Sequence, residues 1–367
     1  MSDTLAADQI EGAPHPRDTP RLFGQGAAER IFLDAFAQGR MHHGWLITGP
    51  RGIGKATFAW RLARFLLAEE PGGGLFGPPE TLDISADHPV AHRIAAQSEP
   101  GLLSIRRGAD EKTGKLRAQI TVDEVRKLRD FFGLSATEGG RRVVIVDAAD
   151  EMNTSAANAL LKLLEEPPNG AMLLLVAHQP SRLLPTIRSR CRELRLHPLG
   201  ADDMALALEQ ATGQTDDSTA LAQLSGGSVG EAIRVMSGDG LELYAEIVGL
   251  LSQLPRLPRP ELRKLCDTMG GKQAEARFDL TVRLFDLALS RLARVGATGT
   301  DQPEATRGEA QILSRLSPDP RAARLWAEQA AELGARARAA RAVNLDPGAL
   351  VLDMFLRLET AAQELPA

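Results

Sequence analysis

Trp45-Leu46-Ile47-Thr48, followed at once by Gly49-Pro50-Arg51-Gly52-Ile53-Gly54-Lys55, decides the fold. A short apolar strand enters a glycine-rich turn, and the turn opens onto Ala56 to Ala68, which reads as a buried helix. This strand, loop and helix context separates a phosphate-binding G-x-x-x-x-G-K loop from a chance match. Gly49, Gly52 and Gly54 let the backbone curl so that N–H groups face phosphate oxygens. The helix N-terminus adds positive potential, and Lys55 supplies a mobile cation.

Upstream, Ile31, Phe32, Ala35 and Phe36 recur at helical spacing between Gln25 and Ala37, with Gly39 as a stop. Downstream, Leu102 to Arg106 reads as a strand, and Thr121 to Leu134 as a helix opened by a Thr121/Glu124 capping box. Arg142 to Val146 is an apolar run that suits a parallel strand buried on both faces. A helix over Thr154 to Glu165, stopped by Pro167 and Pro168, and a strand over Met172 to Val176 complete the alternation. Strands alternating with helices predict an α/β P-loop domain with a parallel sheet over residues 21–199. Residues 1–20, polar and carrying Pro14, Pro16 and Pro20, read as a flexible leader outside the core. The Gly/Pro-rich stretch within about 70–100 reads as an inserted loop. Beyond Pro198 the pattern is alanine- and leucine-rich and helical: a small lid domain over 200–240, then an all-α domain over 241–367.

The 367 residues exceed one small core. With 43% hydrophobic, 25% charged and 4% aromatic residues, the composition is that of a globular chain with an aliphatic core. A net charge of −5 excludes the global basic footprint of a free-standing nucleic-acid binder. Cys191 and Cys266 are too few for a disulfide framework, and no N-terminal segment resembles a secretory signal, so a cytoplasmic location is expected. No apolar run approaches the ~18 residues of a membrane span. Neither His42 with His43 nor His88 with His92 is expected to bind metal: adjacent side chains leave a helix on different faces, and Pro89 argues against a helix through the second pair.

The residues around the loop lack the hydrolytic set. Ser or Thr normally follows the lysine and helps to hold Mg²⁺, but here the residue is Ala56. Thr57 is about 100° further round the helix, a packing residue or backbone hydrogen-bonder. Asp147 ends the strand at the position of the magnesium-side carboxylate, but Ala148 stands where an ATPase of this type carries glutamate. That loss removes a general-base contribution of roughly 10² to 10⁴-fold. Asp150 and Glu151 are the substitutes that an active ATPase would recruit.

Three stretches are more specific than the loop: Asp147 to Asn153, then Ala157-Asn158-Ala159-Leu160-Leu161-Lys162-Leu163-Leu164-Glu165-Glu166-Pro167-Pro168, then Ser189-Arg190-Cys191. Through them the chain resembles the clamp-loader branch of the AAA+ proteins of bacterial DNA polymerase III, from Phe23 to about Leu199. The resemblance implies that Arg190 is a trans arginine finger reaching ATP on a neighbouring subunit, a device worth roughly 10³ to 10⁵ in GTPases. It implies gamma/tau- and delta-type subunits as partners, with the sliding clamp and primed DNA met through the complex. It also implies that 241–367 is a helical collar. Two departures follow. The family's Gly-Ser-x-Arg becomes Gly227-Ser228-Val229-Gly230, and its four-cysteine module is missing, so no zinc is expected. The expected chain is a subunit of the polymerase III holoenzyme without intrinsic ATPase activity. It binds ATP or ADP without hydrolysis through Gly49, Gly52, Gly54, Lys55, Thr57 and Asp147. A gamma-like active ATPase is the alternative.

Overall fold

The apolar runs become five parallel strands: β1 (Gly44–Thr48), β2 (Leu102–Arg106), β3 (Arg142–Asp147), β4 (Ala171–Ala177) and β5 (Arg192–Arg195), in the order β2-β3-β4-β1-β5. The computed structural model describes residues 8–68, 79–110, 114, 116–133, 141–214, 217–270, 274–300, 302–342 and 345–365. The strands are flanked by α1 (Gly26–Ala37), α2 (Lys55–Ala68), α3 (Pro89–Ala95), α4 (Val122–Gly133), α5 (Thr154–Glu165), α6 (Pro185–Arg188) and α7 (Ala201–Thr212). Every residue of β1 and β4 is buried, as expected of strands covered on both faces. Leu46, Val144, Val146, Leu173 and Leu175 pack on one face with Val125 and Leu128 of α4 and Leu160 and Leu164 of α5. Each such side chain contributes about 1.5–3 kcal/mol when fully buried. The alternate residue Trp45 faces the other way, its ring 5.0 Å from that of Phe32 on α1. The few aromatics are therefore not peripheral: Trp45, Phe32, Phe58 and Phe65 are wholly buried under α1 and α2.

Those described residues up to 214, together with Ser228–Gly230, form one compact unit; those from 217 to 227 and from Glu231 onward form a second. The chain thus leaves the first unit, returns to it for three residues and leaves again. The second unit is helical, from α8 (Ser218–Ser225) and α9 (Val229–Ser237, its first two residues belonging to the first unit) through α10 (Gly240–Ser252), α11 (Arg259–Asp267), α12 (Ala274–Thr298), α13 (Glu309–Leu316), α14 (Pro320–Ala342) and α15 (Pro347–Gln363).

Three expectations need correction. Residues 8–20 are not outside the core: the Asp8 side chain is 1% exposed, lies 2.8 Å from the Arg106 guanidinium, and faces a buried His15 at 3.3 Å. The His15 ring also stands edge-on to Trp60 at 5.9 Å. Polar composition hid this because the partners lie far apart in sequence; residues 1–7 lie outside those described. The stretch 79–100 is not all loop. It contains α3, which begins at Pro89 because proline at the first helical position loses no needed N–H, and His88 Nδ1 caps the helix by accepting from the Val90 N–H at 3.2 Å. Residues 69–78 of the proposed insertion fall outside the described set. The capping box is not formed: Thr121 Oγ1 is buried with no hydrogen-bond partner among the described residues, and Glu124 pairs with Lys127. Leu134, the expected last residue of that helix, is also outside the described set.

A buried ion pair ties the second unit together. Arg291 of α12 and Glu309 at the start of α13, with side chains 4% and 0% exposed, meet at 2.6 Å, and Tyr244 of α10 donates its hydroxyl to the same carboxylate at 2.6 Å. The Ala305 N–H adds a third contact at 2.6 Å. Removing one partner leaves the other charge buried and uncompensated. Arg291→Ala is expected to lower stability by about 3–5 kcal/mol, read as a shifted urea-unfolding transition of the second unit.

Candidate nucleotide site and its exposed arginine

The site lies at the carboxyl ends of the central strands. Thr48 of β1 pairs in register with Ala177 of β4, and Asp147 of β3 with Val176, so one buried strand separates the Gly49–Lys55 loop from Asp147. Sites at such strand ends, where the strand order reverses, are general in open α/β sheets. Within the loop, Gly52 and Gly54 hold φ of +74° and +96°, which only glycine adopts readily. The cation is fixed rather than mobile: Lys55 is 3% exposed, and its ammonium donates to the Gly49 carbonyl at 2.7 Å and also to that of Pro50. Burial pushes Lys55 down to about 8, opposed by the charges of Asp147 and Asp150.

These residues suit phosphate better than they suit magnesium. The curled loop, the start of α2 and the anchored Lys55 ammonium can hold phosphate oxygens. Ala56 offers no hydroxyl, and Thr57 is half-buried one residue further along α2. Burial, reinforced by the Asp8 charge and opposed by Lys55, pushes the Asp147 carboxyl up to about 7. A carboxyl that keeps its proton near neutrality is a poor ligand for a divalent cation. Neither candidate substitute base is free for a water. Asp150 accepts from the His178 and Gln179 N–H groups at 3.0 and 2.9 Å. Glu151 pairs with Arg51 at 2.7 Å and Arg107 at 2.8 Å. His178, directly after β4, was not singled out from sequence; burial, then the charge of Lys55, pushes it down to about 4, so its ring is neutral. No signal short of its position after a buried strand marks it.

The stretch Ser228-Val229-Gly230 sits on the loop itself. Ser228 Oγ donates to the Arg51 carbonyl at 2.9 Å, and the Gly230 N–H donates to the Gly52 carbonyl at 2.9 Å. A Cβ on residue 230 would lie 2.4 Å from Ile10 Cδ1 and 3.0 Å from Gly52 Cα. A side chain at residue 230 would therefore have to displace the Ile10 tip and press on the Gly52 backbone.

Arg190 lies in a different setting. Ser189 follows α6 and returns its Oγ to the Thr186 carbonyl at 3.1 Å, while Cys191 packs against the core and its thiol is pushed up to about 12 by burial. Between these anchors the Arg190 side chain is 37% exposed, 3.0 Å from Glu165 and 3.1 Å from the Thr186 carbonyl. Its neighbour Arg192 is already used, stacked 5.2 Å over the Trp45 ring. The histidines serve the backbone: His42 Nδ1 lies 2.8 Å from the Gly44 carbonyl and His43 Nε2 2.9 Å from that of Leu164. Among the described residues no cluster of three or more His, Cys, Asp or Glu could hold a metal, and no helix is long and apolar enough to cross a membrane.

Asp147 makes one measurable contribution. Burial pushes its carboxyl from the ordinary aspartate range of about 4 up to about 7, so the folded state binds the extra proton and stability falls as pH rises from about 4 to 7. Asp147→Asn is expected to flatten that fall and to raise stability at pH 8 by on the order of 1 kcal/mol or more, measured by urea unfolding at pH 5 and pH 8.

Residues 24–200 match the family model described as DNA polymerase III, delta subunit. The chain is 38% identical over 212 residues to DNA polymerase III subunit delta′ of Pseudomonas aeruginosa, a match covering 56% of this chain and 59% of that protein. It is 30% identical over 331 residues to the Escherichia coli subunit delta′, covering 89% of this chain and 91% of that one. Among solved structures, the Thermotoga maritima DNA polymerase III gamma subunit-related protein aligns with 19% identity and a TM-score of 0.39 over 90% of this chain and 99% of its own. The chain belongs to the family of DNA polymerase III delta′ subunits.

Proposed function

We propose that the chain works in DNA replication as the delta′ member of a DNA polymerase III clamp loader. In this reading it does not hydrolyse ATP, and it presents Arg190 to nucleotide held by a neighbouring gamma/tau-type subunit. The reading rests on an asymmetry. At the chain's own loop Ala56, Ala148 and Gly230 stand where hydrolysis needs side chains, and Asp150 and Glu151 are engaged elsewhere. Arg190, by contrast, is partly exposed between two anchored neighbours. A guanidinium so held can reach across a subunit boundary and stabilise charge on a transferring phosphoryl group. The Gly49–Lys55 loop keeps the capacity to hold ATP or ADP phosphates without turning them over. The delta-type subunit, the sliding clamp and primed DNA are then met through the assembled ring, in the cytoplasm, with residues 241–367 serving as its collar.

Arg190→Ala, reconstituted with gamma- and delta-type subunits, is expected to assemble normally and to lower clamp- and DNA-stimulated ATPase by roughly tenfold or more. Unchanged ATPase refutes the role assigned to Arg190. Steady-state hydrolysis by the isolated chain that disappears in Lys55→Ala would instead establish an active, gamma-like ATPase.

A further inference from the structure

Glu165 and Arg190 come from different elements, and the backbone beneath them brings the two together. Glu165 is the last residue of α5, and the carbonyl just before it, that of Leu164, accepts from His43 Nε2 at 2.9 Å. His43 is itself held to the sheet, its carbonyl accepting from the Leu173 N–H of β4 at 2.7 Å. Gly44, at the start of β1, stands against both elements: a Cβ there would lie 2.9 Å from the Leu164 side chain and 3.1 Å from the Arg190 carbonyl oxygen. The buried Ile187 seats α6, and its carbonyl accepts from the Arg190 N–H at 3.1 Å. The end of α5 and the Arg190 backbone are thus both tied to the entry of β1, while the two charged side chains stay partly exposed. Of the arginines on this stretch, Arg182, Arg188, Arg190, Arg192 and Arg195, only Arg190 is ion-paired among the described residues. Its head group spends one nitrogen on the Thr186 carbonyl and another on Glu165, and its remaining N–H donors stay available.

We propose that Glu165 is a positioning residue for Arg190: it parks the guanidinium beside α5 while the neighbouring site is empty, and it competes with that neighbour's nucleotide for the same head group. This rests on the reading of Arg190 as an arginine finger and adds what holds the finger at rest. A phosphate brought to the guanidinium meets the Glu165 charge as well, and like charges at such a distance repel. Glu165 therefore gives the arginine up as the phosphate gains it. An exposed ion pair resists that exchange only weakly, so Glu165 weakens ATP binding by a small factor. It leaves the chemical step alone, because the pair is already broken both in the ATP-bound state and in the transition state. Removing the carboxylate accordingly changes KM and not kcat.

The test reconstitutes the full chain with gamma- and delta-type subunits and follows clamp- and DNA-stimulated ATPase against ATP concentration for the parent, Glu165→Gln, Arg190→Ala and the double variant. Glu165→Gln should lower KM for ATP by roughly two- to fivefold at unchanged kcat, and Arg190→Ala should abolish that gain. An unchanged or raised KM in Glu165→Gln, with ATPase still lost in Arg190→Ala, overturns the parking role and leaves the finger standing. The same gain with and without Arg190 overturns it too, since Glu165 then acts on another group. Full ATPase in Arg190→Ala removes finger and parking role together. A fall in kcat with Glu165→Gln marks a structural contribution alone and refutes the proposal. Should that variant not assemble, Glu165→Asp, which keeps the charge but draws it back by one methylene, must lower KM in the same way, and no shift there refutes the proposal.

Discussion

β4 is the constraint on which the rest of the first unit depends. Its seven residues are buried on both faces, and its two ladders hold β1 on one side and β3 on the other. Because its side chains are close-packed on both faces, a one-residue slip of β4 would put each of them into space shaped for a neighbour on the opposite face. The distance between the phosphate loop and Asp147 is therefore set by the sheet and not by the loops. The residue after the same strand is His178, whose backbone N–H donates to Asp150, so the strand also anchors the acidic turn after β3.

Within that frame the charges are satisfied locally. Lys55 is fixed by carbonyls of its own loop, Glu151 by two arginines, and Asp8 by Arg106 and His15. A hydrolytic site needs the reverse, a carboxylate left free to orient water and a second to hold a metal. What remains uncommitted lies at α6, where the only restraints on the Arg190 head group among the described residues are a half-exposed carboxylate and one carbonyl. An exposed pair of that kind contributes about 0–1 kcal/mol, little resistance to exchanging Glu165 for a phosphate.

Sequence legibility followed locality. β2 and α5 begin and end where the residues indicate, because an apolar run or a helical stripe closed by paired prolines is a local signal. Gly49, Gly52, Gly54, Lys55 and Asp147 do converge, since the alternation of strands and helices brings strand ends together. What was misread depends on distant partners or on position within a motif. Asp8 is buried because of Arg106, 98 residues away, and no composition rule for residues 1–20 contains that information. Pro89 was read as a breaker, although at the first position of α3 it is a starter. Lys55 was expected to be mobile, yet burial by its own loop fixes it. Gly230 reads as a lost arginine in sequence, whereas the fold shows it packed closely against Ile10 and the Gly52 backbone.

The return of the chain to the first unit at Ser228–Gly230 bears on how the protein can be taken apart. The loop's carbonyls at Arg51 and Gly52 receive hydrogen bonds from residues that follow α8, which belongs to the other unit. A fragment ending near residue 214 would keep every strand of the sheet and still lack the donors that close the phosphate loop. The sheet unit is thus continuous in space and discontinuous along the chain, and single-cut dissection or grafting onto another scaffold would break it at the point where nucleotide would be held.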